Sequence, residues 1–323
     1  MSLKEYNVDE SNIVEWLAWG GIVRPSVMRQ KDGSFFSVIK YNPYRNTEKI
    51  PFMDFSAGWI VHNEQQHTSD GKDEHFLVIT WNPSHTARGS ISDNTLDRKE
   101  VRDRDYPDYF ESEIKKISEY LAKFTEAEVL EYEKLLDYLQ FALNNEYKNI
   151  ELPEVPLYID ALLTQDNEYL FYDNDIAINK KHIVLLSFKD LQSSAVIAEA
   201  VQNLDYRYVR RLVMLDKNEA EKALKRYSSS WCSSRQSVKN LMMENILKEY
   251  NGYFNEGFVF SVPEEKVKKL KDYLSAYLIE YGIPFIIEDF NMKDIWWGFI
   301  PGNIYASIYP PVLGFSSFED LLS

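Results

Sequence analysis

Runs of β-branched and aromatic residues fill the first part of the chain. The runs at 34–41, 55–62 and 75–81 read SFFSVIKY, FSAGWIVH and HFLVITW, and the turn-forming stretches NPYRN and SDGKD separate them. Runs of this length, bounded by Gly, Pro, Asn and Asp, are typical of strands. The pattern predicts a strand-rich subdomain over 1–90 and, where the sequence becomes polar and charged, a linker over 91–108.

A helical period follows the predicted linker. Apolar residues recur at intervals of three and four: Phe110, Ile114, Ile117, Leu121 and Phe124. This spacing places them on one face of a helix. Thr125 precedes Glu128 by three residues, which is the spacing of a capping box at the start of a second helix. The pattern therefore predicts a helical hairpin whose second helix runs to about Asn144.

Strands alternate with helices in the last part of the chain. The predicted strands are 182–188, 206–215, 257–262 and 284–288, and helical patterns lie between them. Alternation over about 100 residues implies βαβ-type units on a shared sheet. The predicted fold class is therefore α+β, with a mixed sheet, βαβ-type units and the helical hairpin. The second predicted region, 109–323, holds the hairpin and these units.

The stretch 215–239, LDKNEAEKALKRYSSSWCSSRQSVK, is basic, although the chain has a net charge of −15. Asp216 and Glu219 have the spacing of a capping box, so a helix is expected from about Lys217. On a helical wheel, Trp231 lies at the centre of an apolar stripe. The residues with a predicted structural role are Asp216, Glu219 and Trp231. The candidate interface residues are Arg210, Arg211, Lys222, Lys225, Arg226, Arg235 and Lys239.

The basic residues of the predicted helix, 217–249, allow three interpretations. The side chains are spread around the helix, whereas a protein that reads a DNA groove needs them gathered in one row. The overall negative charge also disfavours broad contact with nucleic acid or anionic lipid. The face is then either the solvated side of a core helix, which the pattern favours, or a docking surface for a protein partner. Nucleic-acid binding is the third interpretation.

Sequence motifs for common enzyme chemistry are missing. A phosphate-binding loop needs GxxxxGK[ST], but the one Gly-Lys pair, Gly71-Lys72, has no glycine five residues before it. There is no GxGxxG or GxSxG either. Cys232 is the only cysteine, which excludes an internal disulfide framework and leaves a small helical residue as its favoured role. These absences count against an autonomous nucleotide hydrolase.

The histidines offer one further candidate site. Four of the five lie at 62, 67, 75 and 85, and two of them form the pattern HNEQQH. HExxH zinc sites need a spacing of four on a helix, whereas this spacing is five in a predicted strand and loop. A solvated hairpin is therefore favoured over a metal site. An enzyme that uses histidines and carboxylates of region 54–85 stays an alternative.

Hydropathy provides no clear targeting or membrane segment. The start, MSLKEYNVDESN, has no apolar core of a secretory signal. The uncharged run 295–318 is long enough to suggest a transmembrane helix, but Pro301, Pro310, Pro311 and three glycines interrupt it. We therefore expect turns and short strands there, in a soluble chain.

Four stretches resemble the TrbE/CagE-like conjugal-transfer ATPases of type IV secretion, in the same order along the chain. They are WLAWGGIVRPSVMRQKDGSF at 16–35, LPEVPLYIDALL at 152–163, RLVMLDKNEAEKALKRYSSSWCSSRQSVKNLM at 211–242, and WGFIPGNIYASIYPPV at 297–312. In the family, the last of these stretches is a connector that leads into a RecA-like motor domain. The chain stops at Ser323 without the nucleotide-binding motifs, so we expect an N-terminal domain that lacks this motor.

The resemblance implies a non-catalytic docking and assembly domain. It would anchor the ATPase to the inner-membrane complex from the cytoplasmic face of the bacterial inner membrane. The implied partners are other inner-membrane secretion components, the protein's own ATPase domain and, in the full-length form, further copies. Direct contact with nucleic acid is not expected. No cofactor is expected in this chain, since ATP and Mg²⁺ would bind in the motor domain.

Overall fold

The computed structural model describes residues 19–43, 55, 58–83, 105–145, 159–165, 167–172, 174–188, 194–223, 250–303 and 312–315. The strands are β1 Trp19–Arg24, β2 Val27–Gln30, β3 Phe35–Tyr41, β4 Trp59–His67, β5 Asp73–Trp81, β6 Ala127–Val129, β7 Tyr169–Tyr172, β8 Asp175–Ile178, β9 Lys181–Phe188, β10 Tyr206–Leu215, β11 Tyr250–Pro263, β12 Ile286–Ile287 and β13 Val312–Phe315. The helices are α1 Asp105–Leu121, α2 Tyr132–Asn144, α3 Ile159–Thr164, α4 Ser194–Val201, α5 Glu264–Glu280 and α6 Met292–Gly298.

The described strands form one sheet that runs through the whole fold. Its main path is β1-β2-β3-β5-β4-β10-β11-β9-β8-β7. The predicted strands at 34–41, 55–62 and 75–81 correspond to β3, β4 and β5. The SDGKD turn joins β4 to β5, with Gly71 at a φ of 86°, a left-handed conformation that glycine adopts without strain. The strand-rich prediction for this part is confirmed.

The second half of the sheet contains two split βαβ units. β9, α4 and β10 form one unit, and β11, α5 and β12 form the other. β11 lies between β9 and β10, and β9 lies between β11 and β12, so the sheet order is β12-β9-β11-β10. This is the ferredoxin-like arrangement. The predicted α+β class and βαβ-type units are confirmed, although adjacent strands in the described residues pair antiparallel.

Strands β4 and β10 join the two halves. They pair antiparallel over eight residues, from Tyr206 opposite His67 to Val213 opposite Ile60. The regions 1–90 and 109–323 therefore share one sheet, and their separation into subdomains stays a prediction. Of the predicted linker, 91–104 lie outside the described residues, and α1 already begins at Asp105.

Tertiary pairing replaces the predicted direct helical hairpin. Strand β6 separates α1 from α2, and Glu128 pairs with Lys40 of β3. Thr125 donates its hydroxyl to the carbonyl of Asn42 over 2.7 Å. The capping box predicted from Thr125 and Glu128 is thus wrong, because this segment runs along the edge of β3 instead. Helix α2 begins at Tyr132, and its N-cap residue makes no side-chain hydrogen bond.

Helices cover both faces of the sheet. On one face, α1 covers the first half of the sheet, and α4 and α5 cover the second. On the other face, α2, α3 and α6 share a single apolar cluster with strands from both halves. Within the described residues, no helix is long and apolar enough to span a membrane. Part of the run 295–318 is helical, since α6 ends at Gly298, and 304–311 lie outside the described residues.

Helix α5 permits a matched test of this packing. Leu274 is fully buried against the sheet, whereas Ile279 on the same helix is 70% exposed. We expect Leu274→Ala to lower the free energy of unfolding by about 2–5 kcal/mol, because it leaves a cavity. Ile279→Ala should change it by no more than about 0.5 kcal/mol. Urea denaturation of both variants tests this, and equal losses would contradict the described orientation of α5.

Candidate functional site

A buried ion pair links the strands at which the two halves of the sheet meet. Glu64 of β4 and Arg207 of β10 are both fully buried, with no exposed side-chain surface. Arg207 Nε donates to Glu64 Oε1 over 2.8 Å, and Arg207 Nη2 donates to Glu64 Oε2 over 2.8 Å. This two-point geometry is the strongest form of Arg–carboxylate contact. It fixes both side chains on the face covered by α2 and α6.

Three neighbours complete the hydrogen bonding of the Glu64 carboxylate. Gln66 Nε2 donates to Oε1 over 2.7 Å, and the Tyr138 hydroxyl donates to Oε2 over 3.1 Å. His62 Nε2 lies 3.1 Å from Oε2. Burial alone would raise the pKa of Glu64, but the charge and hydrogen bonds of Arg207 outweigh burial and hold the pKa well below its usual range. Glu64 is therefore ionised throughout the physiological range.

His62 is neutral in this environment. Burial lowers its pKa, and this effect outweighs the hydrogen bond and charge of Glu64, which raise it. A carboxylate only accepts hydrogen bonds, so Nε2 of the neutral ring carries the proton that it donates to Glu64. Nδ1 is buried and has no hydrogen-bond partner among the described residues.

Arg207 and Arg211 both reach the backbone that follows α6. Arg207 Nη1 donates to the carbonyl of Ala142 in α2 over 2.5 Å, and Nη2 donates to the carbonyl of Phe299 over 3.0 Å. Arg211 donates to the carbonyls of Gly298, over 3.2 Å, and Asn303. Burial lowers the pKa of Arg211 to about 10, so it stays charged at neutral pH. The carbonyls at this helix end accept hydrogen bonds from a cation, which also complements the helix dipole.

The first two strands hold the same backbone from another direction. We call residues 298–303, sequence GFIPGN, the strap. Trp19 Nε1 of β1 donates to the carbonyl of Pro301 over 2.9 Å, and Gln30 of β2 donates to that of Gly302. Gly302 has a φ of 79°, and a Cβ there would lie 2.6 Å from Gln30 Nε2. Four side chains thus donate to five strap carbonyls, namely those of Gly298, Phe299, Pro301, Gly302 and Asn303.

A second buried ion pair lies on the opposite face of the sheet. Arg210 Nη2 donates to Glu256 Oε1 over 2.9 Å, and the Tyr208 hydroxyl donates to the same oxygen. Arg210 and Glu256 are directly opposite each other on β10 and β11. Strand β10 therefore carries cations to both faces, each with a specific partner.

The structure corrects the expectation for Arg210 and Arg211. Both were candidate interface residues, but they are only 2% and 1% exposed. The reason is that β10 lies inside the sheet between β4 and β11, with helices over both faces, so neither side chain reaches the surface. The partner carboxylate on β4 is 143 positions from Arg207 along the chain, and no local pattern signals such a pairing.

The predicted helix start at Asp216 is confirmed. The Glu219 N–H donates to Asp216 Oδ1 over 2.7 Å, and the Asp216 N–H donates to Glu219 Oε2 over 3.3 Å, which completes the capping box. Lys222 is exposed in the helical stretch 217–223, and its interface role stays a prediction. Other predicted residues lie outside the described part of the chain: Lys225, Arg226, Trp231, Cys232, Arg235 and Lys239.

The described histidines of region 54–85 do not converge. His62 and His67 are five residues apart in one strand, so they project to opposite faces. His67 is bonded to Asp73 and to the carbonyl of Gln202, each over 2.8 Å. His75 lies beside the Tyr41 ring, with 5.8 Å between the ring centroids. Among the described residues, no group of three or more His, Cys, Asp or Glu side chains is arranged for a metal ion.

An open cleft of about 370 Å³ borders the network. Gln66 and Tyr138, which donate to Glu64, form part of its wall. Ion pairs surround it: Lys40 lies 2.5 Å from Glu74, Lys72 lies 3.3 Å from Glu74, and Lys134 pairs with Glu128. The charges at its rim are thus of both signs and locally paired.

The fold and network define an α+β domain whose interior fixes the backbone of the strap. The sequence model described as "CagE, TrbE, VirB family, component of type IV transporter system" matches residues 119–308. The chain therefore belongs to this family. The predicted membership is confirmed, and the matched region contains α2, both split βαβ units and the strap.

Two curated relatives agree with this assignment. The chain is 22% identical over 295 residues to the "Conjugal transfer protein TrbE" of Rhizobium radiobacter, an alignment that covers 77% of this chain and 36% of the relative. It is 22% identical over 223 residues to a probable conjugal transfer protein TrbE of Sinorhizobium fredii (strain NBRC 101917 / NGR234), covering 60% of this chain and 33% of the relative. The chain thus spans about a third of the length of these relatives.

The buried ion pair makes a direct prediction for stability. Glu64→Gln should lower the free energy of unfolding by about 3–5 kcal/mol, because it leaves Arg207 buried without a countercharge. The control, Glu128→Gln, removes a carboxylate from the exposed ion pair with Lys134 and should cost no more than about 1 kcal/mol. Chemical denaturation measures both variants. A loss below about 1 kcal/mol for Glu64→Gln would contradict the role given to this pair.

Burial of neutral His62 predicts a pH dependence. Its native pKa is lowered, so below about pH 6.5, its ordinary value, the unfolded chain binds a proton that the native state does not. Stability should therefore fall as the pH drops from about 6.5, at up to about 1.4 kcal/mol per pH unit. His62→Gln should remove this contribution, whereas His182→Gln, at the other end of the sheet, should leave it in place. Denaturation between pH 5 and 8 gives the slopes, and equal slopes for wild type and His62→Gln would overturn the prediction.

Proposed function

We propose that this chain forms the N-terminal docking and assembly domain of a type IV secretion ATPase. In this role it anchors the motor to the inner-membrane complex, at the cytoplasmic face of the bacterial membrane. The observation that carries the proposal is the strap: five of its carbonyls receive hydrogen bonds from buried side chains, so the backbone leaves α6 along a fixed path. Family membership supports the assignment, because the matched region ends just after the strap, at residue 308.

A docking role agrees with the chemistry of the described residues. The buried charges are engaged with one another and with the backbone, and they stabilise the interior of the sheet. ATP and Mg²⁺ would bind a separate motor domain, so we propose that this chain binds neither. Its partners would be that domain, other inner-membrane components of the transporter and further copies of the protein.

The two other functions have less support. An enzyme that uses the histidines of region 54–85 needs them in one cleft, whereas His62, His67 and His75 lie on different faces or against different neighbours. An adaptor that binds nucleic acid through 217–249 needs an exposed basic face. Of the candidate residues in that stretch, Lys222 lies in the described part, and its neighbourhood contains Glu219 and Glu221.

Membrane fractionation tests the docking role. The tagged chain, expressed in bacteria that carry the transporter, should fractionate with the inner membrane, and it should lose this association when the other inner-membrane components are deleted. Lys222→Glu should weaken the association if the helical face beginning at 217 takes part. The control, Lys115→Glu, changes an exposed lysine on α1 and should not.

Three outcomes separate the alternatives. Fractionation that does not depend on the other components would reject docking onto the complex. Phosphate release from ATP by the purified chain would reject the non-catalytic assignment. Salt-sensitive binding to DNA at low ionic strength would favour the adaptor instead.

A further inference from the structure

A continuous series of hydrogen bonds joins the cleft to the strap. Its first members, Tyr138 and Gln66, line the cleft and donate to Glu64. Glu64 then binds Arg207 at two points, and Arg207 Nη2 donates to the carbonyl of Phe299. Every side chain in this series is at most 3% exposed, so water does not replace a lost contact easily.

The position of Arg207 depends on how the Glu64 carboxylate is held. Arg207 Nη2 serves both Glu64 Oε2 and the Phe299 carbonyl, over 2.8 and 3.0 Å. A planar guanidinium with two fixed contacts to a carboxylate moves with that carboxylate. The carboxylate is in turn oriented by the donors from Tyr138 and Gln66. Hydrogen bonds in such buried networks strengthen one another, so the loss of one donor weakens the others.

The two ends of the strap differ in what holds them. Arg207 and Arg211, both from β10, hold Gly298 and Phe299 at the end next to α6. Trp19 and Gln30, from β1 and β2, hold Pro301 and Gly302 further along. A change at Glu64 therefore acts first on the α6 end of the strap.

We propose that Tyr138 and Gln66 are positioning residues for the strap and act on it through Glu64 and Arg207. The cleft wall and the path of the backbone after α6 are then energetically coupled, so that a change at the wall alters how firmly the strap is held. This coupling goes beyond the docking role and holds whether or not the chain carries a motor. Failure of the docking experiment therefore leaves it intact.

Hydrogen exchange of the purified chain tests the coupling without a ligand. The amides of Phe299 and Ile300 donate to the carbonyls of Trp296 and Trp297, so they report opening of the strap at the α6 end. Tyr138→Phe removes one donor to Glu64 and keeps the ring. We expect exchange at these two amides to become about fivefold faster, the factor that corresponds to one hydrogen bond.

The matched control is Tyr169→Phe. Tyr169 is a buried tyrosine in the same apolar cluster, and its hydroxyl donates to Asn144 at the end of α2 and not to Glu64. This variant should leave strap exchange unchanged relative to exchange at Val259 of β11, which serves as the internal reference for global opening. Gln66→Met, which removes the other wall donor, should reproduce the effect of Tyr138→Phe and provides a second variant if the first folds poorly.

The outcomes are decisive in both directions. Faster strap exchange in Tyr138→Phe and Gln66→Met, with Tyr169→Phe unchanged, supports the coupling. Equal acceleration in all three variants, or acceleration that matches the reference amide, would show only a general loss of stability and would overturn the proposal. Unchanged strap exchange in the two wall variants would overturn it as well.

Discussion

The buried pair of Glu64 and Arg207 constrains the rest of the structure. Removing two charges from water costs several kcal/mol per ion, and only a complete set of hydrogen bonds in good geometry offsets this cost. The partners that complete the set come from four elements: β4, β10, α2 and the strap. These elements must occupy their native positions together, because a missing one leaves a buried charge incompletely bonded. The pair thus acts as a common condition for the assembly of both halves of the fold.

The continuous sheet follows from the same condition. Strands β4 and β10 are adjacent, and the network lies on the face that they share with α2, α3 and α6. Trp19 and Gln30 extend the arrangement to the first two strands, which are more than 270 positions from the strap along the chain. A segment that is held from such distant regions of the sequence forms only when the whole domain has folded. This gives the backbone after α6 a defined position relative to the sheet.

Family membership connects this architecture to type IV transport. The relatives are about three times as long as the region that matches this chain. A domain that fixes the exit of its own backbone suits a role in which forces or positions are passed to neighbouring components of an assembly. The missing nucleotide-binding motifs agree with such a role, and the proposed coupling between cleft and strap would make the fixed path adjustable.

Local pattern was sufficient for most of the elements. The alternating strands β3, β4 and β5, the two split βαβ units and the capping box of Asp216 and Glu219 were all predictable, because each depends on residues close together in the sequence. Thr125 and Glu128 have the same capping spacing as Asp216 and Glu219, yet their segment runs along the sheet instead. The available edge of β3 decided between these two outcomes, and that edge is not visible in the local sequence.

The sequence by itself determined the α+β class, the family and the positions of most strands and helices. Only the tertiary structure decided where the charges of β10 go. A basic strand such as YRYVRRLVML suggests an exposed surface, since buried arginines are rare without partners. The partners of Arg207, Arg210 and Arg211 come from β4, β11 and the strap, so their burial is a property of the assembled sheet. Long-range pairing of charges, which local periodicity does not encode, turned the expected interface into the interior of the domain.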